Sequence, residues 1–543
     1  MAAAHGQADR VLVLGLDGGT ETVLRPAFER GWMPRLADFW RRSARGALRS
    51  SDPMVTPVAW TSFLTGCEPP THGIHEFYSV DPADRTIHPN HAGRIRVPTL
   101  WHVLDAHDRP VVSVNLPMTY PPPKVRGLVV GGSDAPGLDW AFMQCPEFGG
   151  QVKAALPGFS TKIVWKRRPR SLAEMEDGAR RTCQVFEAQA RAALLGDART
   201  PDWAVLLVHF HNLDSLQHRI WPYLDLDGED AAADGPPSRA WHDAAVSCLR
   251  ALDDAIGMLL DLADRRGAAV VAASDHGFGR CRKLVSVNGL LQRNGLQKGL
   301  AYGTRFSYRF HRAADRFRRW QARREGDGAS RRQPRSIRGQ VGCDWSRTAA
   351  FAPYGQLGAS IFLNPDVVGA MASATADRAR GEVLAMCRAA RDPETGSPLF
   401  ADVFEVAERY GLDPEAEGLP DVLATSADGF QAQAKWGALD RSWTRPDWNL
   451  PATHYLQGIV AVGAPGVRPG RRLSASLPDL APTILAMLGL PAPEYMEGRV
   501  IQEAFAHPLA VPDPSLGPEF GPGCGQVWDE ALAVSHLLEA SEA

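Results

Sequence analysis

Uninterrupted apolar runs of strand length alternate along this chain with segments whose apolar residues recur at helical spacing. Val11 to Leu16 is the first such run, and it ends at Asp17-Gly18-Gly19. Val111 to Val114 is followed by Asn115, Trp203 to Val208 by His209 and the His211 to His218 stretch, Ala268 to Ala273 by Ser274-Asp275-His276-Gly277, and Gly458 to Val462 by Gly463. Runs without polar alternation are what strands covered on both faces look like. Segments 173–195 and 240–266 carry the helical spacing. Strands alternating with helices predict an α/β fold with a mostly parallel sheet, in which the strand ends carry the site.

Two stretches break the alternation. Between about 298 and 338 the chain holds Arg305, Arg309, Arg312, Arg316, Arg318, Arg319, Arg323, Arg324, Arg331, Arg332, Arg335 and Arg338 and almost no acids. That pattern fits a solvated helical insertion or an anion-binding arm. Beyond about residue 505 the chain is rich in Pro and Gly and reads as a peripheral tail. The expected division is therefore a first part of the core at 8–297, an arginine-rich insertion at 298–340, the remainder of the core at 341–505 and a tail at 506–543.

Bulk composition narrows the function only by exclusion. With 543 residues, 44% hydrophobic and 22% charged, the chain can bury a large core, and a net charge of -3 gives no overall pull towards nucleic acid or anionic membrane. Its eight cysteines have no C-x-x-C spacing and read as reduced thiols. The N-terminus lacks the pattern of a signal peptide and no run reaches membrane-span length, so a cytoplasmic protein without a membrane partner is expected.

Four segments carry chemistry. In Met54-Val55-Thr56-Pro57-Val58-Ala59-Trp60 a Thr precedes Pro and an apolar helix-compatible run, which predicts Thr56 at a helix N-cap with Pro57 at the first helical position, among outward-pointing N–H groups that suit an anion. A plain capping Thr satisfies the same local pattern. Asp275 and His276, adjacent after a buried strand, can reach one metal, with Gly277 allowing a sharp turn. Asp214 and His218, at i and i+4, share a helix face; a metal pair of ligands and a surface ion pair both fit. His454 reads as a loop residue before another buried strand and means little alone.

Taken as a set, Asp17, Thr56, Asp214, His218, Asp275, His276 and His454 resemble the alkaline phosphatase superfamily, most closely its type I phosphodiesterase and nucleotide pyrophosphatase branch. The resemblance spans roughly 10–290 and 450–500 and includes AWTSFLTG, THGI, SDHGFG and SLPDLAPTILAMLGLP, with Asp479, Pro482 and Thr483 in the last. It implies a three-layer α/β/α sandwich of alkaline phosphatase type, with insertions. It also implies two divalent ions, zinc or manganese, one on Asp17, Asp275, His276 and the Thr56 oxygen, the other on Asp214, His218 and His454. Such a pair about 4 Å apart clamps the attacking and leaving oxygens of an in-line displacement at phosphorus. The Thr56 hydroxyl would then attack to form a phosphothreonine.

Thr at this position argues against the sulfatases, which convert Cys or Ser to an aldehyde, and against the Ser-dependent phosphoglycerate mutases. The sequence departs from the branch at Ala59, where relatives carry an Asn, and at Trp60, where sulfatase-like members carry an Arg. The oxyanion donor is thus left to backbone N–H groups after Thr56, with Asn115 and Lys283 as side-chain candidates and Trp60 as a surface for an apolar leaving group. His209 and His211 are expected to serve packing rather than substrate. The expected reaction is phosphodiester or pyrophosphate cleavage of a small phosphorylated metabolite. The alternatives are a phosphomonoesterase of the same superfamily, a non-catalytic ligand-binding member, or nucleic-acid binding through the arginine segment.

Overall fold

The fold was determined as a computed structural model, which describes residues 7–81, 86–135, 143–224, 226, 238–299, 335–336, 343–355, 357–368, 373–434, 443–444, 450–517 and 520. The chain divides into two compact units. The described residues of the first lie in Met1–Ile74, His91–Arg280 and Trp448–Ala533, and those of the second in His75–Asn90 and Cys281–Asp447.

An eight-stranded sheet organises the first unit, in the order Arg472–Ser476, Ala44–Arg49, Gln457–Gly463, Ala269–Ala273, Val11–Gly15, Val205–His209, Val111–Leu116, Gly127–Gly131. Only Gln457–Gly463 runs against the others. The predicted runs are the central strands. Because side chains alternate across a strand, their apolar residues feed both faces. Leu12, Leu14, Leu206, Val208, Val270 and Ala272 pack with the helices Leu172–Arg199 and Arg239–Arg266. Val11, Val13, Val205, Leu207, Ala269 and Val271 pack with Thr56–Thr65, Leu100–Ala106 and Leu480–Met487. The result is the three-layer α/β/α sandwich that the sequence implies.

The second unit has its own four-stranded antiparallel sheet, ordered Ala350–Phe351, Gly358–Leu363, Val422–Ser426, Phe400–Glu405. Its core includes Ile361, Val383, Leu399 and Val422. From the sequence, 341–505 is expected to be the remainder of the core; the described residues between 343 and 444 belong instead to the second unit with its own apolar centre, and the first unit resumes after Asp447. Most of the arginine-rich segment lies outside the described residues, except that Arg335–Ser336 pairs antiparallel with Thr86–Ile87. The tail is not wholly peripheral, since Leu509 is buried in the first unit's apolar layer.

A two-stranded ribbon attached to the eight-stranded sheet of the first unit positions part of the site. Ala452–Tyr455 pairs antiparallel with Gly277–Arg280, so His454 sits opposite Phe278 and beside the Asp275-His276 turn. His454 is thus a strand residue, not the expected loop residue. Ser274 locks the ribbon to the reversed strand: its N–H donates to the Ile459 carbonyl at 3.0 Å, and the Ile459 N–H donates to its Oγ at 2.7 Å. Gly277 is required by space, because a Cβ there would lie 2.0 Å from the Gln457 carbonyl oxygen. Gly277→Ala should therefore cost on the order of 3 kcal/mol, as backbone displacements in a packed interior do. Gly267→Ala, at a left-handed helix end with nothing within 4 Å of the added carbon, should cost only about 1 kcal/mol. Denaturant melts of the two variants measure the difference; equal losses would contradict it.

Candidate metal centre

Four adjacent parallel strands end at one edge of the sheet, and their C-terminal ends or the loops just beyond deliver most of the predicted residues. Ala269–Ala273 leads to Asp275 and His276, Val11–Gly15 to Asp17, Val205–His209 to His209, His211 and Asp214, and Val111–Leu116 contains Asn115. Asp17, His209, Asp275 and His276 are wholly buried. Asp214 and His218 occupy one helix, Asn212–Ile220, at the predicted i, i+4 spacing.

Two predicted ligand sets come together. His276 Nε2 is 3.5 Å from Asp17 Oδ1 and 3.3 Å from Asp275 Oδ2. His454 Nε2 is 2.9 Å from Asp214 Oδ1 and 3.1 Å from His218 Nε2, and His218 Nε2 is 3.4 Å from Asp214 Oδ1. The sets meet through stacked His276 and His454 rings, whose centroids are 3.5 Å apart. Ligand atoms of Asp17, Asp275 and His276, and of Asp214, His276 and His454, each lie within 4.8 Å of one another.

Second contacts fix the imidazoles. His218 Nδ1 donates to the Ala452 carbonyl (2.9 Å), His276 Nδ1 to that of Gly277 (3.0 Å), His454 Nδ1 to that of Met54 (3.1 Å) and His209 Nδ1 to that of Asn115 (3.0 Å). A carbonyl oxygen can only accept, so each Nδ1 carries a proton and each Nε2 is left facing the cluster, where a neutral ring presents a lone pair. This is the outer-contact pattern of metal-ligating histidines. His218 Nε2 and His454 Nε2 lie 3.1 Å apart, close enough to share one cation or one proton. Asp17 Oδ1, Asp275 Oδ2 and His276 Nε2 are buried with no hydrogen-bond partner, at a cost that bound cations would remove. The donor set, three carboxylates with imidazoles, fits divalent ions with N and O preference.

The electrostatics agree. Burial pushes the pKa of Asp275 well above its ordinary value and the neighbouring Asp17 charge adds to this, whereas burial of Asp17 is outweighed by His211 and His209, which hold it well below. Burial, reinforced by His454, lowers His276 to about 3. Burial lowers His218 to about 4 against the pull of Asp214. Both imidazoles are therefore neutral at pH 7 and ready to bind a metal.

Thr56 lies two residues beyond Met54, whose carbonyl takes the His454 proton. It is the first residue of the helix Thr56–Thr65, with Val55 at the cap, one position later in the helix than expected because Val55 is the extended residue. Pro57 has no N–H and the Ala59 N–H bonds Val55, which leaves the amides of Thr56 and Val58 as donors at this helix start.

The side-chain candidates for substrate need correction. Trp60 is fully buried, edge-on to Phe63 and His209 with centroids at 5.5 and 4.7 Å, so it is core and not a leaving-group platform. Lys283 belongs to the second unit and its ammonium is held by Asp392 at 2.6 Å and Glu394 at 2.9 Å. Asn115, at φ 64, spends its Nδ2 on the His209 carbonyl at 2.9 Å and so positions His209. His209 and His211, expected to pack, instead both reach Asp17 Oδ2, at 3.2 and 2.6 Å. The available signal was their i, i+2 spacing across the end of a strand that also leads to Asp214.

A family sequence profile described as type I phosphodiesterase / nucleotide pyrophosphatase matches residues 11–438. The chain belongs to that family. It is accordingly a phosphoester hydrolase of a metal-dependent family. No curated protein sequence gives a significant match. Among solved structures, phosphonoacetate hydrolase from Sinorhizobium meliloti 1021, seen in complexes with phosphonoformate and with phosphonoacetate, is 16% identical with a TM-score of 0.52, covering 89% of this chain and 96% of that one. Human ectonucleotide pyrophosphatase / phosphodiesterase 5 is 12% identical with a TM-score of 0.46, covering 92% and 100%. The hydrolase shares the fold of this phosphodiesterase-family chain.

Removing metal from this family member should lower its melting temperature by several degrees, since saturating ligand at about 100 times Kd contributes about 2.7 kcal/mol per site. Asp275→Ala and His454→Ala should each lose about one equivalent by elemental analysis. With His276 and His218 titrating so low, protons should displace metal only below about pH 5. Full metal content in both variants, or loss of metal near pH 7, would contradict the assignment.

Proposed function

We propose that the protein cleaves phosphodiester or pyrophosphate bonds of a small phosphorylated metabolite through a covalent intermediate on Thr56, with zinc or manganese as the metal pair. The observation that carries this reading is the inward convergence of the lone-pair nitrogens of His218, His276 and His454 on the Asp17, Asp214 and Asp275 carboxylates. One ion would be held by Asp17, Asp275, His276 and the Thr56 oxygen, the other by Asp214, His218 and His454. When bound, the pair supplies Lewis acidity that lowers the pKa of the Thr56 hydroxyl and offsets charge on the departing oxygen.

The chain's own groups account for the rest. Thr56 Oγ attacks phosphorus, the P–O bond to one ester group breaks, and that alcohol leaves with a proton drawn from solvent. The other ester group stays on the phosphoryl-threonine until water attacks phosphorus and restores the hydroxyl. The amides of Thr56 and Val58 meet the non-bridging oxygens at the helix start. The outer contacts from Ala452, Gly277 and Met54 hold the imidazoles in the tautomer the site needs.

A monoester brings close to two negative charges and is best met by an additional Arg or Lys. The indole at position 60 carries no charge and Lys283 is paired elsewhere, so neither position supplies that cation. The expected outcome is a higher kcat/KM for bis-p-nitrophenyl phosphate than for p-nitrophenyl phosphate; the reverse preference would make the protein a monoesterase. Thr56→Ala should lose several orders of magnitude in kcat while its melting temperature stays close to wild type, because Val55 and not Thr56 is the capping residue of that helix. Near-normal turnover in that variant would replace Thr56 with a directly attacking water.

A further inference from the structure

Two cysteines that the proposed chemistry does not use meet inside the helix layer of the first unit. Cys183 lies on the helix Leu172–Arg199 and Cys248 on Arg239–Arg266, which pack against each other beside the sheet. Cys183 Sγ is 3.6 Å from the Ser247 carbonyl oxygen and Cys248 Sγ is 4.0 Å from that of Ala179, so each sulfur reaches the turn of the facing helix that carries the other. A cysteine side chain extends only two heavy atoms, and contacts of this kind need the two backbones close together. A hydrogen bond between the thiols holds Cys183 down at about 7, and the same bond, reinforced by burial, holds Cys248 well above the usual thiol range. Cys248 is wholly buried and Cys183 half-buried, so the more acidic sulfur is also the one a small solute can reach. By contrast, burial pushes Cys67, Cys281 and Cys387 up to about 12, where the protonated thiol is inert.

We propose that Cys183 and Cys248 form a peroxide-sensitive dithiol, which closes to a disulfide and clamps these two helices together. The Cys183 thiolate attacks one oxygen of hydrogen peroxide, the O–O bond breaks, and a sulfenic acid forms on Cys183 as hydroxide leaves. Cys248 then attacks that sulfur, the S–S bond forms, and the sulfenic oxygen departs as water with the Cys248 proton. Each sulfur loses one electron and the peroxide gains two. Between the two cysteines the chain forms the strand Val205–His209 and the helix Asn212–Ile220, so the bond closes a loop that contains Asp214 and His218. Closing a long loop restricts the unfolded chain, which makes the oxidised protein the harder one to unfold. The rival arrangement is a pair of packed thiols that an oxidant leaves unchanged.

The test uses the full-length reduced protein, exposed to a small excess of hydrogen peroxide, alkylated in denaturant, digested without reduction and read by mass spectrometry. The expected product is a peptide pair joined through Cys183 and Cys248, with the thermal midpoint several degrees above that of the reduced protein and restored by dithiothreitol. Cys248→Ser should stop at a sulfenic acid on Cys183 that dimedone traps, and Cys183→Ser should gain neither the bond nor the shift. Comparing the midpoints of the reduced variants with that of the reduced wild type checks that both fold. Both cysteines recovered as alkylated thiols in the wild type, or Cys183 recovered joined to another cysteine such as Cys145, would overturn the dithiol. A joined pair whose midpoint is unchanged or lower would overturn the clamp.

Discussion

Three carboxylates buried in one cluster are the constraint around which this molecule is arranged. Asp17, Asp214 and Asp275 lie at or beyond the ends of neighbouring strands, and Asp17 and Asp275 have no solvent exposure at all. Ionised carboxylates in such a place are prohibitively costly unless positive charge sits among them. The protein surrounds them with five imidazoles, four of which donate Nδ1–H to backbone carbonyls and turn Nε2 towards the carboxylates. Bound cations would offset the charge of such a cluster, which makes this polar interior a candidate metal centre.

The sheet explains how such a cluster is held in place. Parallel strands sandwiched between helix layers bring their C-terminal ends to one edge without side-chain choice, and the apolar faces on either side make that edge rigid. The reversed strand Gln457–Gly463 and the ribbon leading into it bring His454 back from more than 170 residues later in the chain to stack on His276. Gly18 contributes at close quarters: at φ +67 its N–H donates to Asp275 Oδ1 at 3.0 Å, and a Cβ would lie 2.8 Å from Phe278. The outer contacts therefore come from the fold's backbone, which ties the orientation of the imidazoles to the integrity of the sheet.

Much of this was legible in the sequence because the chemistry sits where the hydrophobic pattern changes. Long apolar runs ending in Asp17 and Asp275 mark both the central strands and their polar ends. Strands with weaker patterning were not legible: Ala44–Arg49 and Arg472–Ser476 alternate apolar with polar residues towards one edge of the sheet, and Gly127–Gly131 is short and bounded by glycines. The role of His454 as a strand residue depended on pairing with a segment far away in sequence. Trp60 and Lys283 misled for the same reason. Adjacency to Thr56 or to the SDHGFG segment says nothing about which way a side chain points, and burial or a carboxylate such as Asp392 from a remote segment decides it. His209 was read as packing because His is so often partly buried; only the direction of its Nε2, set by Asn115, assigns it to Asp17.

The proposed chemistry reduces to whether Thr56 or a water molecule makes the first bond to phosphorus. The stereochemical course at phosphorus answers this directly, using a diester made chiral by sulfur and oxygen-isotope substitution and following its hydrolysis by the wild-type protein. Attack by Thr56 followed by attack of water inverts the centre twice, so the account predicts net retention of configuration. Net inversion would mean a single displacement by water and would contradict it.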